Sequence, residues 1–201
     1  NQINQHADNS GFIAALDEDL YEPRPNQVNL IKAILLRLDM EQQDESVIKT
    51  YTGRITIEHI LPQTVRNAPE NGEFSDANRT SYLYKIGNVT LLEGTINQSV
   101  NNCNDLSEDW FLKKQTEYLN SEIIMTRLLH SQYSIGDNTA LNRFKLKYGY
   151  EYQDWSAENI TSRQRLLMDL AIDCWRFNGQ RIDYYMASNP NIEQINVHAA
   201  L

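Results

Sequence analysis

Residues 54–60, RITIEHI, alternate β-branched and polar side chains, and residues 85–94, KIGNVTLLEG, are the second stretch with strand character. Both read as strands. Two strands alone bury too little apolar surface to be stable in water. This chain must therefore support a small hairpin with helices.

Helical patterning is plentiful. VNLIKAILLRLDMEQ, 28–42, places Val28, Ile31, Leu35 and Leu38 at helical spacing. Further helices are expected at 95–105 with Thr95 as N-cap, at 107–119 with Ser107 as N-cap, and at 121–132 started by Ser121. Residues 140–149 are ambiguous. A last helix covers 156–179, with Ile160, Leu167, Leu170, Ala171, Cys174 and Trp175 as its buried stripe and Gly179 as its stop. Residues 64–82 are rich in Asn, Pro, Gly and charge and read as a long loop, a class usually functional or mobile. The expected class is α+β, mostly helical, with a small ββα core surrounded by helices. Its parts are a polar segment and connecting helix at 1–50, a core at 51–134, and a C-terminal helical part of the same domain at 135–201.

Several function classes fall away. No run of about 18 apolar residues exists, so a membrane-spanning helix is not expected. Cys103 and Cys174 form no CxxC pair, which fits free thiols in a reducing cytoplasm. The chain starts at Asn1 rather than Met and shows no secretory signal, so it reads as a fragment of a longer cytoplasmic protein. Net charge is −9, with nine Asp/Glu against four Lys/Arg in the first 50 residues alone. Tight nucleic-acid binding usually needs a basic surface, so weak binding is expected from this chain by itself.

The chemistry-bearing residues cluster on the hairpin. Glu58 and His59 lie at the end of the first strand, Asn88 opens the second, and Asn97 follows nine residues later in a short helix. A helix folded across the hairpin would bring Glu58, His59 and Asn97 together. Phosphodiester cleavage needs a base that is neutral near pH 7, which suits His59. It also needs a hard divalent cation held by oxygens, which suits Glu58 and Asn97. Neighbouring strand positions point to opposite faces, so Glu58 shares an ion with His59 only if the strand end twists or bulges.

EHILPQ at 58–63, KIGNVTLLEGTIN at 85–97 and FLKKQTEYLNS at 111–121 together resemble the His-Asn-His (HNH, ββα-metal) nuclease domain in the C-terminal half of GmrSD-type restriction proteins. SspE- and BrxU-like proteins share that layout. Trp155, Ile160, Arg163 and Leu167 resemble the family's closing helix, and helix 28–42 the segment preceding its nuclease motif. The resemblance covers roughly residues 28–177.

It implies a Mg²⁺- or Mn²⁺-dependent DNA endonuclease that nicks one strand per site, within a modification-dependent anti-phage system. His59 takes the general-base position, Asn97 and Glu58 the metal-facing positions, and Asn88 the position that braces the loop carrying the base. Lys114 sits at a lysine that touches the DNA phosphate, with Lys113 beside it. Tyr118 and Ser121 match family positions without an assigned role. Phage DNA is the expected target. The resemblance also implies a nucleotide-hydrolysing sensor domain preceding the segment seen here.

Two rivals keep the fold but change the function. One is an inactive DNA-binding or protein-interaction module; the intact His59, Asn88 and Asn97 speak against it. The other is a toxin-type nuclease acting alone, which the acidic charge disfavours. His130 reads as a packing residue, and Trp110, Phe111, Trp155 and Trp175 as core.

Overall fold

A computed structural model describes residues 25–41, 51, 53–133, 140–174, 176–177 and 180–181. Helix α1, Pro25–Glu41, comes first, followed by strand β1, Ile55–His59. A long connection ends in the one-turn helix α2, Thr80–Leu83, and a 3₁₀ turn, Ile86–Asn88. Strand β2, Val89–Glu93, leads directly into helix α3, Gly94–Val100, and a second 3₁₀ turn, Asn101–Cys103. Helices α4 (Trp110–Tyr118), α5 (Ile124–Arg127), α6 (Ala140–Tyr148) and α7 (Ala157–Cys174) follow, and then a two-residue pair, β3 (Arg176–Phe177) and β4 (Gln180–Arg181). The α+β, mostly helical class expected from the sequence is the one observed.

Strands β1 and β2 pair antiparallel from Ile55↔Glu93 to His59↔Val89 without a bulge. The hairpin is covered on both faces. On the polar face of β1, Thr56 meets Asn97 of α3, and Glu58 meets Lys114 and Tyr118 of α4. Val89, Thr90, Leu91 and Leu92 of β2 are all buried. Helix α1 buries Ile31, Ile34, Leu35 and Leu38 at the i, i+3, i+4, i+7 spacing of a single stripe, and Lys32 Nζ donates to Ile55 O at 2.9 Å. One apolar cluster runs from Ile31 of α1 through the hairpin to Ala171 of α7, so the described parts of all three sequence segments share a core.

The long connection is tied down rather than loose. Arg66 N donates to Asn104 O at 2.8 Å, Leu106 N to Arg66 O at 3.0 Å, and Asn67 Nδ2 to Asp105 Oδ2 at 2.7 Å.

Three expected caps are corrected. Helix α3 starts at Gly94, one residue before Thr95, with extended Glu93 in the cap position and no side-chain cap. Helix α4 starts at Trp110, because Ser107 closes a tight turn on Asp105 Oδ1 instead, with its hydroxyl at 2.7 Å and its amide at 3.1 Å. Helix α5 shrinks to Ile124–Arg127 because Ser121 and the Glu122 amide bind the Glu93 carboxylate at 2.8 and 2.7 Å, holding that backbone out of the helix. The ambiguous 140–149 stretch is helical. Helix α7 buries Ile160, Leu167, Leu170 and Ala171 as the spacing requires. Trp175 and Gly179 lie outside the described residues, as does most of 1–50 apart from α1.

Candidate active site

A cavity of about 890 Å³ opens at the end of β1 beside α3 and α4. Glu58, His59, Asn97 and Lys114 all line it, whereas Asn88 and Lys113 do not. Four of the six residues singled out from the sequence are therefore brought together, across about 56 positions of chain, by the hairpin and the two helices on its polar face.

His59 is the last residue of β1 and is half-buried, with its ring edge-on to Tyr84 at 6.0 Å between centroids. Burial, and then the positive charge of Lys114, lowers its pKa to about 4. Its imidazole is thus neutral at physiological pH, the form able to accept a proton.

Asn97 stands one turn into α3. Its Nδ2 donates to Thr56 Oγ1 at 2.8 Å and to Ile57 O at 3.4 Å. The amide orientation follows from that network. The Thr56 hydroxyl proton goes to Leu92 O at 2.9 Å, so its oxygen must accept, and a carbonyl can only accept. With the nitrogen turned to the strand, Oδ1 is the atom Asn97 can present to an ion.

Asn88 is fully buried and makes four hydrogen bonds. Oδ1 accepts from Leu61 N at 2.8 Å and from Trp155 Nε1 at 3.1 Å. Nδ2 donates to Leu61 O and Leu83 O, both at 3.1 Å. The Asn88 carbonyl also accepts Ile60 N at 2.9 Å. These bonds hold the two residues that follow His59. Asn88 closes the 3₁₀ turn instead of opening the strand, and it positions backbone without touching the cavity.

Glu58, expected at a metal-facing position, lies on the Thr56 and Asn97 face of β1 and lines the same cavity. Its Oε1 accepts Lys114 Nζ at 2.6 Å and the Tyr118 hydroxyl at 3.1 Å. Burial, reinforced by Glu58, raises the Tyr118 pKa well above its ordinary value, which keeps it a donor. Lys114, expected at a DNA phosphate, has a side chain that is 1% exposed and an ammonium engaged by Glu58 and the His59 carbonyl. Lys113 is exposed and paired with Glu108.

Sequence reasoning missed the braces behind the turn. Arg163 is fully buried; Nη1 donates to Gly87 O at 2.7 Å and Val89 O at 2.8 Å, and Nε to the Tyr150 hydroxyl at 3.0 Å. Trp155 and Arg163 of the closing segment thus both converge on Ile86–Asn88. The signal for this was the resemblance of Trp155, Ile160, Arg163 and Leu167 to the family's closing helix.

The model of the GmrSD restriction endonuclease C-terminal domain family matches residues 7–170. The chain belongs to that family. No curated protein and no solved structure matches it. Membership makes this GmrSD C-terminal domain part of a restriction endonuclease, with DNA as the implied substrate. No helix among the described residues is long and apolar enough to cross a membrane.

Among the described residues, no three His, Cys, Asp or Glu side chains gather to hold a metal ion. Asn97 Oδ1 is a suitable hard donor, and Mg²⁺ is commonly held by one or two protein oxygens, with water and substrate phosphate completing its shell. The cavity wall carries Glu58, Glu93 and Glu122 against Arg54 and Lys114, a balance that favours a cation. The residues fit such an ion with Asn97 as the ligand and without Glu58 Oε1.

Proposed function

We propose that this domain is an HNH-type, Mg²⁺- or Mn²⁺-dependent endonuclease that nicks DNA at the cavity, with His59 as general base. The observation that carries the reading is geometric: the His59 imidazole and the oriented Asn97 amide line one cavity.

His59 takes the proton of a water whose oxygen attacks phosphorus, and the P–O bond to the 3′ oxygen breaks as that oxygen leaves. Asn97, oriented by its bonds to Thr56 and Ile57, would hold the ion through its amide oxygen, and Asn88 keeps the residues after His59 from shifting. The divalent ion, when bound, supplies charge neutralisation at the scissile phosphate. One base in one cavity cuts one strand, so a double-strand break requires a second site or a second event. In the full protein, a preceding nucleotide-hydrolysing sensor domain would choose phage DNA by its modification and supply affinity that the acidic chain lacks.

The test is relaxation of supercoiled plasmid with Mg²⁺ or Mn²⁺ by the native chain and by His59→Ala. Open circles from the native chain and none from His59→Ala are expected. Equal nicking by both would remove His59 from the mechanism. Absence of cleavage by both, repeated in the full-length protein, would favour an inactive binding module.

A further inference from the structure

The peptide plane that joins His59 to Ile60 is held at both ends. Its carbonyl accepts Lys114 Nζ at 2.9 Å, and its amide donates to Asn88 O at 2.9 Å. The same ammonium meets Glu58 Oε1 at 2.6 Å, and Tyr118 donates to that oxygen as well. Lys114 and Glu58 are both nearly inaccessible, with side chains 1% and 6% exposed.

We infer that Lys114 is a positioning residue for His59: its buried ammonium, anchored by Glu58 and Tyr118, clamps the His59 carbonyl and so fixes the direction in which the imidazole leaves the strand. This rests on the reading of His59 as the base.

The geometry follows from ordinary backbone constraints. A peptide unit is planar, so holding its C=O and N–H together removes rotation about the Cα–C bond of His59. Lys114 holds the carbonyl side and Asn88 the amide side. Without these two bonds the backbone that carries the His59 side chain would be free to tilt at the strand end. Glu58 also finds its purpose here. It neutralises a lysine that would be costly to bury alone, and it aims the ammonium at the next residue's carbonyl. A lysine so placed cannot also reach a phosphate, because leaving would strand a buried carboxylate. Lys113, its exposed neighbour on α4, has no such constraint.

The test compares Lys114→Met, and Glu58→Gln combined with Lys114→Met, with the native chain and His59→Ala. Three quantities are read: single-turnover cleavage at saturating DNA, DNA affinity with Ca²⁺ across a salt series, and the amide resonance of Ile60 with the ring resonances of His59. Lys114→Met should slow cleavage about 100-fold, the scale expected for a misplaced reacting group. DNA affinity and its salt slope should stay as in the native chain, and the Ile60 and His59 resonances should shift. The double variant should be no slower than Lys114→Met, because both changes break one link. If Lys114→Met does not fold, the double variant, which leaves no uncompensated charge, carries the same three measurements.

A weaker affinity, with a salt slope shallower by about one and unmoved resonances, would make Lys114 a phosphate contact and overturn the clamp. Native-like cleavage by Lys114→Met would overturn it too. If His59→Ala cleaves as the native chain does, the base assignment fails, and the resonances still decide whether Lys114 clamps this peptide.

Discussion

At the residue scale, two asparagines nine positions apart have opposite duties. Asn88 has all its bonding capacity used inside the protein, with two donors and two carbonyls each facing the matching end of its amide. Asn88→Asp turns two attractive contacts with carbonyls into repulsion and buries a charge. It should cost about 3 kcal/mol or more, read by urea or thermal unfolding. Asn97 is partly exposed and bonds only to strand β1, so Asn97→Ala should cost about 1 kcal/mol while abolishing metal-dependent nicking. Stability loss in Asn97→Ala as large as in Asn88→Asp would contradict this division. A strand-end Asn and a helix Asn look alike in a sequence. Their difference lies in partners such as Trp155, Leu61 and Thr56, which only folding brings near.

His59 adds a pH dependence at the same scale. Its pKa is lowered to about 4 in the folded chain, against 6.5 in the unfolded one. The unfolded chain therefore takes up a proton first as pH falls. The stability associated with neutral His59 is fully present above pH 6.5 and is lost between pH 6.5 and about 4, by on the order of 3 kcal/mol. Urea unfolding of the metal-free chain at pH 7.5 and pH 4.5 should differ less in His59→Gln than in the native chain. Equal pH sensitivity would assign the effect to other groups.

At the element scale, α7 acts as a backstop for the turn that carries Asn88. The helix comes so close that a Cβ on Gly87 would lie 2.0 Å from Ile160 O. That neighbour is helix backbone and cannot rotate aside, so Gly87→Ala forces α7 away from the turn. The expected cost is about 3 kcal/mol, the upper end for overpacking, with loss of nicking although Gly87 never meets DNA. A thermal melt and the plasmid assay check both halves. Helix positions of α1 and α7 were legible from apolar spacing alone, because a 3.6-residue stripe is a local property. The ends of α3, α4 and α5 were not: Glu93 draws Ser121 and Glu122 to itself across 28 residues, and Ser107 closes on Asp105. Caps compete with tertiary partners that the sequence lists no closer than any other.

At the scale of the whole molecule, charge separates chemistry from affinity. The chain carries −9, and carboxylates outnumber cations around the cavity. A polyanion can approach such a site only when a cation is in place. DNA binding by the isolated chain should therefore be no tighter than the weak nonspecific range, about 10⁻⁶ to 10⁻⁴ M at physiological salt. Ca²⁺ should strengthen it measurably over EDTA. Strong binding in EDTA with a steep salt slope would mean a basic surface exists elsewhere on the molecule.

The sequence by itself determined the α+β class, the hairpin and the two long helical stripes, which depend on local periodicity. Its motifs EHILPQ, GNVTLL and the Asn97 position carried the resemblance to the family, because those residues stand at fixed spacing. Tertiary structure decided what each side chain does there. The pairing of β1 with β2 brings Glu58 against Lys114 and Tyr118, partners 56 and 60 residues away that its place in the motif does not reveal. A lysine on a helix is ordinarily solvated. Lys114 is not, because α4 packs against a strand whose buried carboxylate needs a counter-charge, and that requirement arises only once the two elements touch.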